Sequence, residues 1–361
     1  MRPKQFLKDL KSLVQAESKM KILQRMLVAI FYLPFSLLLG GEQQFAYLGD
    51  FQLENGQVIK DCKIGYRTFG KLNAQKDNAI LFPTWFGGTS EHLSKFIGPG
   101  GLVDSSDFFI IAVDALGNGI SSSPSNSQLQ PGRAFPVFSI ADMVIAEHLL
   151  VSRHLKLRHL YAVIGGSMGG MQAFEWMVRY PDFMDKAVPY VGTPQISSYD
   201  YLLWRQALNI LTTGWRYGVP EDSIRGQLNA LITLNVRTPQ WIVEHWNLKQ
   251  TRQQFKTFFA GEPAIFTNQN YAAQIKAMLQ QDVSRPYGGD LQKAARRVKA
   301  RTLIIVVKTD HMVNPRKALQ FAEMIKAEKV VLDDPCGHLG IGCNLQKVAE
   351  IIKQFLETDH E

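Results

Sequence analysis

The spacing of apolar positions divides the chain into segments of distinct texture. Between about residue 48 and residue 193, short β-branched or aromatic runs alternate with helical patterns. Such alternation predicts a mostly parallel sheet with helices on both faces. The runs NAILFPTW (78–85), FFIIAVDAL (108–116), LYAVIG (160–165) and KAVPYV (186–191) are continuous rather than alternating, as strands buried on both sides are. Ser139 with Asp142 three residues later predicts a capping box that opens a crossover helix to about His154. After Thr193 the texture changes for about a hundred residues. Helical periodicity runs through 199–213, 221–235 and 264–282, with no convincing strand. The sheet pattern resumes with TLIIVV (302–307) and KVVLD (329–333), and a helix from about Asn344 to Leu356 closes the chain. The expected layout is a core of residues 42–193 and 298–361, an inserted helical cap of 194–297, and a separate segment 1–41.

Charge changes this picture only at the N-terminus. The 361 residues carry a formal charge of +8, but residues 1–25 hold seven Lys or Arg and two acids, leaving about +3 for the rest. No basic run interleaved with aromatics occurs beyond residue 42, so nucleic acid is not an expected partner. Lys19, Lys21 and Arg25 precede the apolar run Met26 to Leu39, which contains Pro34 and ends at Gly40 and Gly41. This resembles the charged and apolar regions of a signal peptide, and the run is shorter than the roughly 20 residues that span a bilayer. Export to the periplasm or beyond is the expectation, with a cytoplasmic location as the alternative. An uncleaved anchor, the one case that implies membrane contact, and a buried N-terminal helix are the other readings of the segment.

Three cysteines, Cys62, Cys336 and Cys343, are too few for a disulfide scaffold. Cys336 and Cys343 flank a histidine-bearing loop, where they either form one bridge or serve as small apolar residues. No Cys and His spacing predicts a metal site.

Candidate chemistry centres on Gly165-Gly166-Ser167-Met168-Gly169, which follows the strand LYAVIG and precedes the helical pattern MQAFEWMVRY. A strand, a sharp turn and a helix around G-x-S-x-G present the serine above the sheet. A serine hydroxyl needs a base to take its proton and a third group to orient that base. Of eight histidines, His338 alone lies in a loop directly after the last predicted strand; His92 and His311 are the competitors. Asp310 follows TLIIVVK at the sheet edge, whereas Asp333 and Asp334 lie only a few residues before His338, so Asp310 is preferred as the orienting acid. Oxyanion donors are expected from the backbone N–H of Met168 and of Phe86, which precedes Gly87-Gly88. Asn118 and the run Ser121 to Ser125 read as a solvated loop near the rim. The region 194–297 holds Trp204, Trp215, Trp241 and Trp246, mostly as packing, with a few candidates to line an apolar pocket.

With the serine turn in place, the surrounding words resemble the homoserine O-acetyltransferase family of α/β-hydrolases over about residues 48 to 355. They are Gly65-Tyr66-Arg67-Thr68-Phe69-Gly70-Lys71-Leu72-Asn73, Gly98-Pro99-Gly100-Gly101, Phe135-Pro136 with Asp142-Met143, and above all Gly165-Gly166-Ser167-Met168-Gly169-Gly170-Met171-Gln172. The resemblance implies an α/β-hydrolase fold, the Ser167–His338–Asp310 triad and ping-pong acyl transfer. It also implies acetyl-CoA as cosubstrate, with no bound cofactor, and a homodimer paired through the cap. Trp85, Tyr271, Asp282 and Leu339 become candidates for substrate contact. Two departures matter: Leu339 stands where the family has an aspartate near the substrate amine, and Pro83-Thr84-Trp85-Phe86-Gly87 replaces a histidine-containing word. The first removes a counter-charge for an amino-acid acceptor, and an exported enzyme would meet neither acetyl-CoA nor cytosolic homoserine, so water is the expected acceptor and the expected enzyme an esterase acting on a small-molecule ester or acyl substrate. An O-acetyltransferase is the alternative, and a non-catalytic small-molecule binder on the same fold the second alternative.

Overall fold

The computed structural model describes residues 41–261 and 265–358; the signal-peptide-like segment lies outside them. Eight strands form one sheet: β1 (Gln44–Gln52), β2 (Val58–Phe69), β3 (Ala79–Pro83), β4 (Phe109–Val113), β5 (Leu160–Gly166), β6 (Met184–Tyr190), β7 (Arg301–Val307) and β8 (Glu328–Leu332). Their order is β1-β2-β4-β3-β5-β6-β7-β8. The β1–β2 and β2–β4 pairs are antiparallel and all the others parallel. The six expected strands are present: β3 and β4 are shorter than expected, and the ends of the other four lie within two residues of those expected. The hairpin β1–β2 was not among them, because β1 is mostly exposed along its length and lacks the continuous apolar run of a central strand.

Helices cover the sheet: α1 (Ser90–Ser94), α2 (Ile140–Leu149) and α3 (Met168–Arg179) between strands, and later α10 (Arg316–Ile325), α11 (Gly340–Cys343) and α12 (Leu345–Glu357). The expected capping box opens α2: Ser139 Oγ accepts from Asp142 N at 3.1 Å, and Asp142 Oδ2 accepts from Ser139 N at 2.8 Å. The second Asp142 oxygen takes Glu54 N at 2.8 Å, which pins the β1–β2 hairpin to the same helix. A wider π-type turn over Leu150–His154 ends this crossover.

Between β6 and β7 lie α4 (Ser198–Arg216), α5 (Glu221–Val236), α6 (Pro239–His245), α7 (Leu248–Thr257), α8 (Asn268–Met278) and α9 (Leu291–Ala295). Periodicity pointed to α4, α5 and α8. It missed α6 and α7, which bury no residue fully and so carry no core-facing stripe for the pattern to reveal.

Candidate active site

The serine turn is built by close backbone contact. Ser167 has φ +56° and ψ −122°, a region that non-glycine residues occupy only when surrounding structure enforces it. Its N–H donates to Tyr190 O at 3.0 Å. A Cβ on Gly165 would lie 2.2 Å from Gly169 O, and one on Gly169 would lie 2.5 Å from Pro83 O. Strand β5, helix α3 and the end of β3 therefore approach more closely than any side chain permits.

Asp310 follows β7 and His338 follows β8, so the parallel sheet delivers both to the end at which β5 delivers Ser167. His338 Nε2 lies 2.9 Å from Ser167 Oγ, and His338 Nδ1 lies 2.7 Å from Asp310 Oδ2. With a carboxylate at Nδ1, that nitrogen carries the proton and Nε2 is left to accept from the serine hydroxyl. Histidine and aspartate are both buried. The second Asp310 oxygen accepts from Met312 N at 2.8 Å and Val313 N at 2.9 Å, which fixes the carboxylate's rotation. The competitors are occupied elsewhere: His92 Nδ1 accepts from Thr89 N in the cap of α1, and Asp333 pairs with Lys308 at the surface. His311 is exposed.

Met168 is the first residue of α3, where N–H groups have no intrahelical acceptor. Among the described residues neither its N–H nor that of Phe86 has a protein acceptor, so both are available to a bound oxygen. The Phe86 ring packs edge-on against Tyr271 (centroids 4.6 Å apart) and Phe266 (5.4 Å) and tilted against Trp204 (5.3 Å). Tyr271 is buried in this cluster, with the Arg225 guanidinium 4.7 Å from its ring centre; burial raises its hydroxyl pKa. Trp85 turns instead onto His92 and Phe96. Leu339, beside the histidine, is 40% exposed.

Two expectations are corrected. Asp282 does not join this group: its carboxylate accepts from Ser284 N at 2.9 Å and Gln195 Nε2 at 3.2 Å. It lines a surface groove with Glu54, Arg179 and Arg285, and a carboxylate two residues before a turn N–H is a local cap. The region of Asn118 and Ser121 to Ser123 is buried, not a solvated loop. Asn118 Nδ2 donates to Gly88 O and to Asp114 Oδ1, each at 3.0 Å, and Asp114 also accepts from Ser90 N at 2.7 Å. Polar composition suggested solvent, but these groups satisfy one another behind the Phe86 loop.

The histidine loop carries a disulfide between Cys336 and Cys343. Asp334 ties the same two ends, accepting from Cys336 N at 2.7 Å and Asn344 Nδ2 at 2.9 Å. From the start of α6, Thr238 Oγ1 donates to Pro335 O at 2.5 Å. Asp334, Cys336 and Cys343 are the one candidate metal-ligand group among the described residues, and the disulfide occupies both sulfurs.

Residues 79–342 match the model of the alpha/beta hydrolase fold. The chain belongs to the α/β-hydrolase family. This α/β-hydrolase is 33% identical over 323 residues to a probable esterase of Corynebacterium glutamicum, covering 83% of this chain and 90% of the relative. It is 32% identical over 334 residues to the ethyl acetate hydrolase of Pseudomonas veronii, covering 88% and 95%. Among solved structures it is similar to the acetyl esterase MekB, with a TM-score of 0.81, 30% identity and coverage of 88% and 97%. The resemblance to homoserine O-acetyltransferases also holds, at 26% identity over 360 residues (89% and 94%) for that of Leptospira biflexa. Esterases and acyltransferases thus both stand among the relatives of this enzyme.

Proposed function

We propose that this α/β-hydrolase is a serine esterase that passes a short acyl group through Ser167 to water. The carrying observation is the continuous hydrogen-bonded line from Ser167 Oγ through His338 to Asp310, at 2.9 and 2.7 Å. His338 takes the hydroxyl proton as Ser167 Oγ attacks the ester carbonyl, and Asp310 stabilises the imidazolium that forms. The N–H groups of Met168 and Phe86 receive the charge on the carbonyl oxygen. His338 then returns the proton to the leaving alcohol, leaving acyl-Ser167. The same histidine activates water in the second half, which releases the acid and restores the serine.

Three features favour water over an amino-acid acceptor. Leu339 offers no counter-charge beside His338. Two relatives above 30% identity carry esterase or ester hydrolase names. The Cys336–Cys343 disulfide suits an oxidising compartment, which supports export, away from cytosolic acetyl-CoA. An O-acetyltransferase is the second reading, favoured by a probable acyltransferase of Methanothermobacter thermautotrophicus at 30% identity. Acyl release from p-nitrophenyl acetate and from acetyl-CoA, each with and without homoserine, separates them. Acetate as sole product supports the esterase, whereas acetylhomoserine formed from acetyl-CoA overturns it in favour of the transferase.

A further inference from the structure

The loop that carries Phe86 is fixed from three sides. At its start, Thr84 N donates to Val113 O at 3.0 Å, Thr84 Oγ1 accepts from Ala115 N at 2.9 Å, and Thr84 O accepts from Gln172 Nε2 at 3.1 Å. At its end, Asp114 and Asn118 hold Gly88 and Ser90. Between these clamps lies a turn, closed by Gly88 N donating to Trp85 O at 2.8 Å. Gly87 has φ +68° in its third position, the arrangement of a type II turn.

Rotation of the central peptide of such a turn, here the Phe86 carbonyl and the Gly87 N–H, converts it to type I, and any adjustment of Phe86 φ that accompanies the change tilts the Phe86 N–H. The outer clamps do not touch that peptide. Gln274 does. Its Oε1 accepts from Gly87 N at 2.9 Å, and its Nε2 donates to Leu116 O at 3.0 Å. Gln274 is fully buried and belongs to helix α8, in the region inserted between β6 and β7. In a flipped turn the Phe86 carbonyl oxygen would face Gln274 Oε1, two acceptors with no proton between them, against a side chain that is itself fully buried. The side-chain amide cannot rotate to answer this, because its donor end is committed to Leu116 O.

We infer that Gln274 is a positioning residue for acyl transfer. Its bond to the Gly87 N–H fixes the middle of the turn, so the Trp85–Phe86 peptide that carries the Phe86 N–H is braced from that side as well as by the Gly88 N to Trp85 O bond, and the seating of α8 becomes a condition of catalysis. The inference rests on the acyl-Ser167 reading with Phe86 as donor. Glutamine is required because one group must accept at Gly87 and donate at Leu116; methionine has similar volume and does neither well.

The test compares wild type, Q274M, Q274E and S167A on p-nitrophenyl acetate and on its thiono analogue. A trifluoromethyl ketone, whose serine adduct places an oxyanion in the hole, is titrated against each. Loss of an oxyanion donor costs about 10²–10³ in kcat, and a misaimed donor retains part of that. Q274M is therefore expected to lose about tenfold to a hundredfold in kcat with KM within about twofold. The ketone should weaken in proportion, and the preference for the oxygen ester over the thiono ester should shrink. That preference is internal to each preparation, so it reads the hole whatever fraction of a variant folds, and Q274E, whose carboxyl oxygen still accepts at Gly87 N–H, should keep more of the preference than Q274M. Unchanged ketone affinity and thiono preference in Q274M, or losses in Q274E as large as in Q274M, with S167A inactive, would overturn the inference alone. Turnover persisting in S167A would overturn the acyl-serine reading and the inference with it.

Discussion

The two ends of the Ser167–His338 hydrogen bond are held in opposite ways. On the serine side everything needed is adjacent in sequence: strand β5, six residues containing four glycines, and helix α3, locked by contacts such as that of Gly165 with Gly169 O. On the histidine side, residues 334–344 gain their shape from a disulfide, the Asp334 carboxylate and Thr238 at the start of α6. One end is rigid because its own backbone permits nothing else; the other is rigid because distant groups hold it. Substitutions should therefore act abruptly on the first and by degrees on the second.

The largest effect tests the chemistry joining the two ends. Ser167→Ala should lower kcat by about 10⁶-fold and His338→Gln by several orders of magnitude, while His311→Gln should change it by less than about threefold. Equal losses from the two histidine variants, read by esterase kinetics, would leave the base on the wrong residue. Next, Gly165→Ala should remove activity almost entirely, because the new methyl meets backbone that cannot move aside. Gly337→Ala meets Val236 O at 3.1 Å and forces a Cβ onto a residue at φ +65°; it should leave a measurable, reduced kcat. A Gly165→Ala enzyme as active as Gly337→Ala would break the comparison.

A smaller effect is expected from the disulfide. Opening a loop of this length costs about 2 kcal/mol of stability in the chain-entropy account. The Cys336→Ser/Cys343→Ser variant should melt a few degrees lower, with kcat reduced more than KM is raised. An unchanged melting point and unchanged kcat would assign the histidine's position to Asp334 and Thr238 alone.

The smallest effect is confined to pH dependence on the serine side. Glu147 on α2 is fully buried, accepts from Trp176 Nε1 of α3 at 2.7 Å, and burial raises its pKa to about 8 from 4.5. A carboxyl raised in the fold contributes stability that is complete below about 4.5 and lost as pH rises through about 8. The melting temperature of wild type should fall across that window, and Glu147→Gln should flatten the slope without changing kcat. A slope identical in both proteins would place the ionisation elsewhere.

The same division governs what the sequence made legible. Continuous apolar runs marked six strands, and G-x-S-x-G between strand and helix marked Ser167, since both signals arise from neighbours in the chain. Asp310 and His338 were legible by their places after strands, because a parallel sheet sends successive strand ends to one edge. The clamps were not. Gln274 lies 187 residues from Gly87, and nothing in its local pattern separates a core-facing amide from a solvated one. Asp282 was misplaced for the converse reason: its role as a turn cap depends on Gln195 and Ser284, and a resemblance of words does not carry side-chain partners with it. Asn118 and the adjacent serines read as solvated because their hydrogen bonds are made to one another and to Asp114, which composition alone hides.

The central claim is that the acyl group passes through Ser167. Rapid quenching of the enzyme with p-nitrophenyl acetate, followed by peptide mass spectrometry, tests it directly. The account predicts one acetyl group on the peptide containing Ser167, formed during a burst of p-nitrophenol and lost as acetate appears, and absent from Ser167→Ala. Sustained turnover with no acetyl on that peptide at any time, or with acetyl on another residue, would contradict it.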